Sequence, residues 1–189
     1  MTTFGPVLQV ADVMRGFPCP WYIAGGWAID LFLGHTTRDH DDIDVAILRK
    51  DQADLRTHLS TWTFGKVVEG RRLPWADGER LDPPVHEVQA ASKTGARIEF
   101  LFNESSGARW RFRRNPAIRR RLDRIGIRTP AGIPFLVPEI VLLCKAKAPT
   151  AKDRHDFDLL QPRLMAEPRR WLKDALETCH PGHPWIAQL

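Results

Sequence analysis

The stretch Ala24-Gly25-Gly26-Trp27-Ala28-Ile29-Asp30, followed by Asp42-Ile43-Asp44-Val45-Ala46-Ile47, decides the fold of this chain. In an extended strand, successive side chains point to opposite faces, so Asp42 and Asp44 share one face and the apolar residues between and after them face a core. Carboxylates held this close repel each other, and a divalent cation is the usual reason for holding them there. A glycine pair between a strand and a helix offers free backbone N–H groups to a phosphate. Together the two segments indicate phosphoryl or nucleotidyl transfer.

With Thr37-Arg38-Asp39-His40-Asp41 ahead of the carboxylates, the segment resembles the aminoglycoside and lincosamide nucleotidyltransferases of the polymerase-beta-like nucleotidyltransferase superfamily. The resemblance is dense from Tyr22 to Ile47 and thinner afterwards. It implies an α/β (α+β) fold in which a polymerase-beta-like nucleotidyltransferase core has a mixed sheet flanked by helices. The pattern along the chain predicts that this core spans residues 1–130 and that a small helical C-terminal region spans residues 131–189.

Periodicity and turn residues predict the individual elements. Asp51 is expected to cap one helix, Gly34 to end another, and Pro138 to open a third. Residues 70–84, rich in proline, glycine and charge, are expected to form a loop. The expected helices are 6–15, 27–33, 51–59, 152–160, 167–178 and one from Pro138; the expected strands are 21–24, 42–48, 63–68, 86–90, 97–102 and 110–113.

Asp42 and Asp44 are the predicted catalytic residues, as ligands for two Mg²⁺ ions that neutralise charge on the transferring phosphate. A third carboxylate from a neighbouring strand completes such a site in the family that the segment resembles. Glu99 suits this role because Arg97–Phe102 alternates, with Glu99 on the polar face. It can ligate metal or accept the proton of an acceptor hydroxyl. Glu87 and Glu104 are its rivals.

Gly25 and Gly26 are expected to bind the triphosphate of a nucleotide through backbone donors. Arg38 can pair with the carboxylates or with phosphate. Asp30 lies four residues after Gly26 on the same helical face. It is assigned to substrate binding, with buttressing of the turn as the alternative.

Basic side chains in the C-terminal helices are expected to reach the triphosphate, as the resemblance suggests. Lys145, Lys147 and Lys152 stand close together in the sequence, with Asp153 and Asp156 nearby. Lys147 and Lys152 are the favoured candidates, and an ordinary solvated helix face is the alternative.

Charge is unevenly distributed along the 189 residues. Nine arginines and one aspartate between Arg109 and Arg128 give +8, so the remaining chain carries 5 − 8 = −3. Such a local patch is a candidate contact for a polyanion.

Several broad classes are not favoured. No apolar run approaches the ~20 residues that span a bilayer, and residues 1–6 do not read as the start of a signal peptide. The three cysteines, Cys19, Cys144 and Cys179, are scattered, so we expect neither a disulfide framework nor a zinc site. This use of cysteine favours a cytoplasmic location. The histidines around Pro181 are expected to belong to a packed turn.

The resemblance therefore implies a Mg²⁺-dependent nucleotidyltransferase that moves a nucleoside monophosphate, AMP above all, from a nucleoside triphosphate to a hydroxyl. The acceptor is expected to be a small molecule like an aminoglycoside or lincosamide, which makes antibiotic resistance the expected role. An RNA acceptor, as in nucleotidyltransferase toxins that act on transfer RNA, is the first alternative because of the arginines. A non-catalytic nucleotide-binding protein is the second.

Overall fold

Ten strands form a mixed sheet in the computed structural model, which describes residues 4–189. Residues 1–3 lie outside the described part, and with them lies half of the segment 1–6 on which the expectation about a signal peptide rests. The helices are α1 (Gly5–Val13), α2 (Gly25–Leu33), α3 (Gln52–His58), α4 (Pro138–Lys145), α5 (Ala151–Leu160) and α6 (Ala166–Cys179). The strands are β1 (Trp21–Ile23), β2 (Asp44–Leu48), β3 (Thr63–Val68), β4 (Arg71–Pro74), β5 (Glu87–Ala91), β6 (Arg97–Ser106), β7 (Arg109–Phe112), β8 (Asn115–Arg121), β9 (Gly126–Arg128) and β10 (Pro134–Leu136).

The strands follow the order β4-β3-β5-β6-β2-β1-β10-β9. β2 runs parallel to β6, and β1 runs parallel to β10, whereas the other neighbours along this path are antiparallel. β7 and β8 form a hairpin that continues from the far end of β6. The sheet is therefore mixed, as expected, and β2 lies near its centre with β1 and β6 on either side.

Alternation along the central strands separates a buried face from a polar face. Val45 is paired with Phe100, and Phe100 with Val88 on β5; all three are fully buried. The residues between them point the other way, where Asp44 is paired with Glu99 and Glu99 with Gln89. The site carboxylates thus stand on a face that the core does not occupy.

The helices pack through α4, which contacts α2, α5 and α6. The predicted end of α2 is confirmed, since Gly34 adopts the left-handed conformation with φ 78°. α5 begins with a capping box in which Thr150 and Asp153 bond each other's backbone N–H groups. These contacts fix the basic residues at the end of α4 relative to α2.

Several predictions about elements were wrong in detail. The expected loop 70–84 contains β4, and β2 begins at Asp44 rather than at Asp42. Three further strands were missed, namely β8 and the two three-residue strands β9 and β10. Asp51 stands at the start of α3 as expected, but its side chain makes no capping bond.

β10 pairs with β1 and lies beyond residue 130, so the sheet extends past the predicted end of the core. The division at that residue stays a prediction. Within residues 4–189, no helix has the length and apolar character needed to cross a bilayer.

Candidate active site

Asp44 and Glu99 occupy paired positions on the parallel strands β2 and β6. The backbone N–H of Glu99 donates to the carbonyl of Ile43 over 3.0 Å, so the pairing extends one residue ahead of β2. Asp42, two residues before Asp44, therefore projects from the same face. It is exposed, whereas Asp44 is partly buried. The structure thus brings Asp42, Asp44 and Glu99 to one face at the centre of the sheet.

Burial and neighbouring negative charges raise the pKa values of Asp44 and Glu99. Burial, together with the charges of Asp42 and Glu99, raises the pKa of Asp44 to about 7. Burial also raises the pKa of Glu99, with further contributions from Glu87 and Asp42. A nearby cation would relieve this repulsion.

The donor set fits Mg²⁺, which prefers carboxylate oxygens and retains positions for water and phosphate. All three residues can serve as ligands.

The other acidic candidates differ in their contacts. Gln89 Nε2 donates to Glu99 Oε1 over 3.0 Å and to Glu87 Oε1 over 3.5 Å, so Glu87 borders the same group. Glu104 instead accepts from Arg49 over 2.7 Å, which occupies it in an ion pair. Of the two rivals to Glu99, Glu87 is the one beside the carboxylate group, whereas Glu104 lines the first of the cavities described below.

Gly25 lies directly against Asp44. It has φ 58°, a conformation that strains any residue with a Cβ. A Cβ there would also collide with Asp44 Oδ2. The backbone at the start of α2 therefore reaches the carboxylate only because residue 25 is glycine.

Gly26 has a different neighbour. A Cβ at this position would come within 2.5 Å of His40 Cε1 and would also collide with the guanidinium of Arg38. The second glycine thus lets the loop between α2 and β2 close over the start of the helix. Binding of phosphate by this pair stays a prediction.

Asp30 is fully buried beneath this loop. Its Oδ1 accepts from the backbone N–H and the hydroxyl of Thr37, over 3.1 and 2.6 Å, and its Oδ2 accepts from His40 Nε2 over 2.6 Å. Burial alone would raise the pKa of Asp30, but the bonds from His40 and Thr37 outweigh it and lower the pKa. This geometry favours the buttressing alternative over direct contact with a substrate.

His40 links the buttress to the metal-ligand segment. Its Nδ1 accepts from Arg38 Nη1 over 3.0 Å, an arrangement that directs the Nε2 proton toward Asp30. The ring packs on Trp27 at a centroid distance of 4.4 Å. Trp27 Nε1 in turn donates to the carbonyl of Asp42 over 3.0 Å. A continuous set of contacts therefore runs from Asp30 to the backbone of a predicted metal ligand.

Arg38 does not pair with the predicted metal ligands. Its Nε and Nη2 both bond the carboxylate of Asp156 on α5 at 3.3 Å, and it lines neither of the cavities described below. One of the two partners proposed for it from the sequence is thus replaced by Asp156, because α5 packs across the loop. A role for Arg38 with phosphate stays a prediction.

The group of carboxylates lies between two cavities. The first cavity, of about 200 Å³, is lined by Gly25, Asp44, Lys145 and the adjacent pair Arg113 and Arg114. Burial, followed by the charge of Arg114, lowers the pKa of Arg113. Three cationic groups thus face Asp44 across a partly enclosed space, which suits a polyphosphate.

The second cavity, of about 510 Å³, opens beside the other two metal-ligand candidates. Its carboxylates are Asp41, Asp42 and Glu99, and Trp27 provides an aromatic wall. Its lining also includes His40, Gln89, Arg72 and Arg97. The two cavities therefore differ in the sign of their excess charge: three cations face Asp44 and Glu104 in the first, and three carboxylates face two guanidinium groups in the second.

The lysines expected at the triphosphate differ in position. Lys147 is exposed after the end of α4 and lines neither cavity, and Lys152 bonds Asp41 over 2.6 Å. Lys145, which the sequence did not favour, lines the first cavity and pairs with Asp153 and Asp156 at 2.6 and 3.0 Å. Geometry therefore favours Lys145. Sequence reasoning missed Trp27 and Gln89 as residues of the site, although the alternation along β5 is a signal that could have found Gln89. It noted Arg113 and Arg114 only as members of the arginine patch.

Comparison with known proteins shows the family of this chain. A family model described as aminoglycoside-2''-adenylyltransferase matches residues 6–108, more than half of the sequence. The chain belongs to this family. The match includes the glycine pair, the three carboxylates and the strands that bring them together.

Curated proteins are similar to part of this sequence, and solved structures are similar to its fold. The 2''-aminoglycoside nucleotidyltransferases of Escherichia coli and Klebsiella pneumoniae are 36% identical over 69 residues, which cover 36% of this chain and 37% of theirs. The crystal structure of ANT(2'')-Ia in complex with adenylyl-2''-tobramycin has a TM-score of 0.63 at 16% identity, covering 93% of this chain and 98% of that one. Lincomycin-bound lincosamide antibiotic adenylyltransferase LnuA has a TM-score of 0.59 at 16% identity, covering 85% and 97%. The predicted fold class is thereby confirmed.

Proposed function

We propose that this chain transfers AMP from ATP to a hydroxyl of an aminoglycoside-like antibiotic, with Mg²⁺ as cofactor. The observation that carries the proposal is the pairing of Asp44 with Glu99, with Asp42 beside them, between a cationic cavity and an acidic one. Membership of the family supports the class of reaction. The same arrangement would confer resistance to such an antibiotic.

The triphosphate is assigned to the first cavity. Its β- and γ-phosphates would face Lys145, Arg113 and Arg114, and its α-phosphate would lie at Asp44, where Gly25 leaves room for it. Lys145 keeps its positive charge because, although burial opposes it, bonds to Asp153 and Asp156 raise its pKa. Mg²⁺ held by Asp42 and Asp44, with Glu99 beside them, would supply charge neutralisation at the phosphate during transfer.

The acceptor is assigned to the second cavity, where an ammonium-rich sugar would find Asp41 and Asp42 and could pack on Trp27. An acceptor hydroxyl there would lie beside Glu99. We assign Glu99 as the group that receives its proton, because a carboxylate with a raised pKa is a stronger base near neutral pH. The hydroxyl oxygen then bonds to the α-phosphorus, and pyrophosphate leaves toward the cations of the first cavity.

The decisive experiment supplies ATP labelled at the α-phosphate, Mg²⁺ and a panel of aminoglycosides, lincosamides and transfer RNA. We expect label on an aminoglycoside with release of pyrophosphate. Asp44→Asn should abolish transfer, whereas Asp174→Asn, the same change at an exposed position on α6, should not. Label on transfer RNA alone, or full activity in Asp44→Asn, would overturn the proposal.

A further inference from the structure

A second group of potential metal ligands lies at the other end of β1 and β2, away from the site described above. Cys19 stands two residues before β1, Asp51 ends the short 3-10 turn that follows β2, and Asp54 lies in the first turn of α3. β1 and β2 are antiparallel, with Trp21 paired with Ile47, so these ends meet at one edge. A ligand atom from each of the three residues lies within 4.8 Å of the others.

The environment of Asp51 is an independent observation that indicates a ligand. Asp51 is only 6% exposed, and its Oδ2 is fully buried without a hydrogen-bond partner. Burial raises the pKa of its carboxyl group and the charge of Asp54 adds to the shift, while the charge of Lys50 and a bond from Cys19 only partly offset it. Its position at the start of α3 would suit a cap, yet the side chain makes no capping bond. A buried carboxylate oxygen without a hydrogen-bond partner lowers the stability of the folded chain unless something binds it.

We propose that Cys19, Asp51 and Asp54 form a divalent metal site suited to Zn²⁺. Zinc accepts thiolate and carboxylate ligands in tetrahedral geometry, which leaves a fourth position for water. With Zn–S of about 2.3 Å and Zn–O of about 2.0 Å, a tetrahedral ion separates the two ligand atoms by about 3.5 Å. Cys19 Sγ lies 3.6 Å from Asp54 Oδ2.

The surroundings of the thiol are consistent with this assignment. Cys19 is held between Pro18 and Pro20, whose rings restrict the backbone around it. Without a metal, burial and the neighbouring aspartates raise its pKa to about 11, so the thiol keeps its proton. Zn²⁺ binding replaces that proton: the sulfur–hydrogen bond breaks, a sulfur–zinc bond forms, and one proton goes to solvent. The nearby cation, Lys50, is 3.9 Å from Asp51 Oδ1 and 63% exposed, so it can move aside.

Cobalt titration of the metal-stripped chain, purified without a histidine tag, tests the proposal. Co²⁺ should produce a thiolate-to-metal charge-transfer absorption at one equivalent, and Zn²⁺ should displace it. Cys19→Ser should remove the absorption, and Asp51→Asn should weaken the apparent affinity by more than about tenfold. Cys179→Ser, which changes another partly buried cysteine, should leave both unchanged. No absorption, or an absorption that survives Cys19→Ser, would overturn the site.

Alkylation of the unmutated chain provides a second measurement in case a variant does not fold. Zn²⁺ should protect Cys19 from a thiol reagent, as read by peptide mass spectrometry, while Cys179 reacts at the same rate with and without the ion. Equal rates at Cys19 in both conditions would contradict the proposal. Neither readout depends on nucleotide transfer, so the site can fail or stand independently of the proposed activity.

Discussion

Asp44 Oδ2 occupies the space in which a side chain on Gly25 would begin. The glycine requirement at this position therefore comes from the carboxylate as well as from the backbone conformation. In the sequence, the same glycine reads as a phosphate-binding residue. The two roles are compatible, because the close approach that places Gly25 against Asp44 also brings the backbone to the proposed α-phosphate position.

Gly25→Ala should lose both stability and transfer activity. The left-handed conformation alone costs a residue with a Cβ about 1–2 kcal/mol, and the collision with Asp44 adds to this. Gly34→Ala is the matched control, since Gly34 has φ 78° but no atom within 4 Å of the added Cβ. Urea unfolding and turnover should show a loss of about 1–2 kcal/mol with normal activity in Gly34→Ala, and larger losses of both in Gly25→Ala. Equal behaviour of the two variants would contradict the close approach.

Asp44 should make the metal-free chain less stable as pH rises. Its folded-state pKa of about 7 exceeds the ordinary value of 3.8, so the folded chain binds more protons than the unfolded chain between those values. The free energy of unfolding from this group therefore falls as pH rises through that window. Urea unfolding between about pH 5 and pH 8 should show a flatter dependence in Asp44→Asn, whereas Asp174→Asn should match the native chain. A native-like slope in Asp44→Asn would refute the assignment.

Glu99→Gln should reduce turnover by about 10²–10⁴ if this residue is the general base. Affinity for the Mg²⁺–nucleotide complex, measured by calorimetry, should fall much less. Glu87→Gln is the comparison, because Gln89 bonds both carboxylates and either change alters the same small group. Equal loss of affinity in Glu99→Gln and Asp42→Asn would make Glu99 a metal ligand instead. A larger loss of turnover in Glu87→Gln would transfer the role of base to β5.

His40→Ala should act on the site through its supports. Removing the ring leaves Asp30 Oδ2 buried without its donor, which costs about 1–3 kcal/mol in the free energy of unfolding. It also removes the surface on which Trp27 rests, so we expect weaker Mg²⁺–nucleotide binding through displacement of Asp42. His35→Ala, at an exposed position whose ring bonds only a backbone carbonyl two residues away, should leave both quantities unchanged. Native metal–nucleotide affinity in a folded His40→Ala chain would show that the buttress does not position the ligands.

The nine arginines should separate into groups with different roles. Arg120 bonds Glu139 and Glu167 and is only 12% exposed, so Arg120→Ser breaks a buried ion pair and should cost about 3–5 kcal/mol in stability. Arg113→Ser should raise the KM for ATP, because Arg113 lines the first cavity. Arg109 and Arg119 are exposed, so the double change of both to serine should leave transfer and stability unchanged.

RNA binding by the double variant distinguishes the acceptor classes. If the exposed arginines contact phosphates, their loss should reduce the log–log salt slope of RNA binding by about 0.7–0.9 for each contact. We expect the double variant and the native chain to show the same RNA affinity and the same dependence of that affinity on salt. Tight binding by the native chain that disappears in the double variant would favour an RNA acceptor.

The centre of the fold followed from the sequence because local patterns specify it. Alternation around Asp44 and Glu99 identified two strands, and the resemblance placed them side by side. The strand β10 could not be found in this way, since Pro134–Leu136 is three residues long and is fixed by its pairing with β1. Likewise, nothing near Arg38 in the sequence indicates that Asp156, 118 residues away, accepts hydrogen bonds from its Nε and Nη2. Side chains whose partners come from distant helices are the ones that periodicity cannot assign.

The same limit applies to the lysines and to Cys19. Lys145 and Lys147 look equivalent in sequence, and only the packing of α4 against α2 and α5 turns the first toward the cavity. Cysteine spacing argued against a zinc site because the spacing rules apply to ligands that are close in sequence. Asp51 and Asp54 reach Cys19 through the antiparallel pairing of β1 and β2, which is a property of the sheet.

The parallel pairing of β2 with β6 also bears on how the chain acquires activity. Asp44 and Glu99 are separated by a crossover that contains α3 and three strands, so closing this long loop must precede their meeting. A nascent chain that has emerged only as far as β5 carries both aspartates without their partner, and Lys145 follows later still. Competence for metal and nucleotide should therefore arise in one step late in folding, which makes nucleotide binding a direct reporter of the completed central sheet.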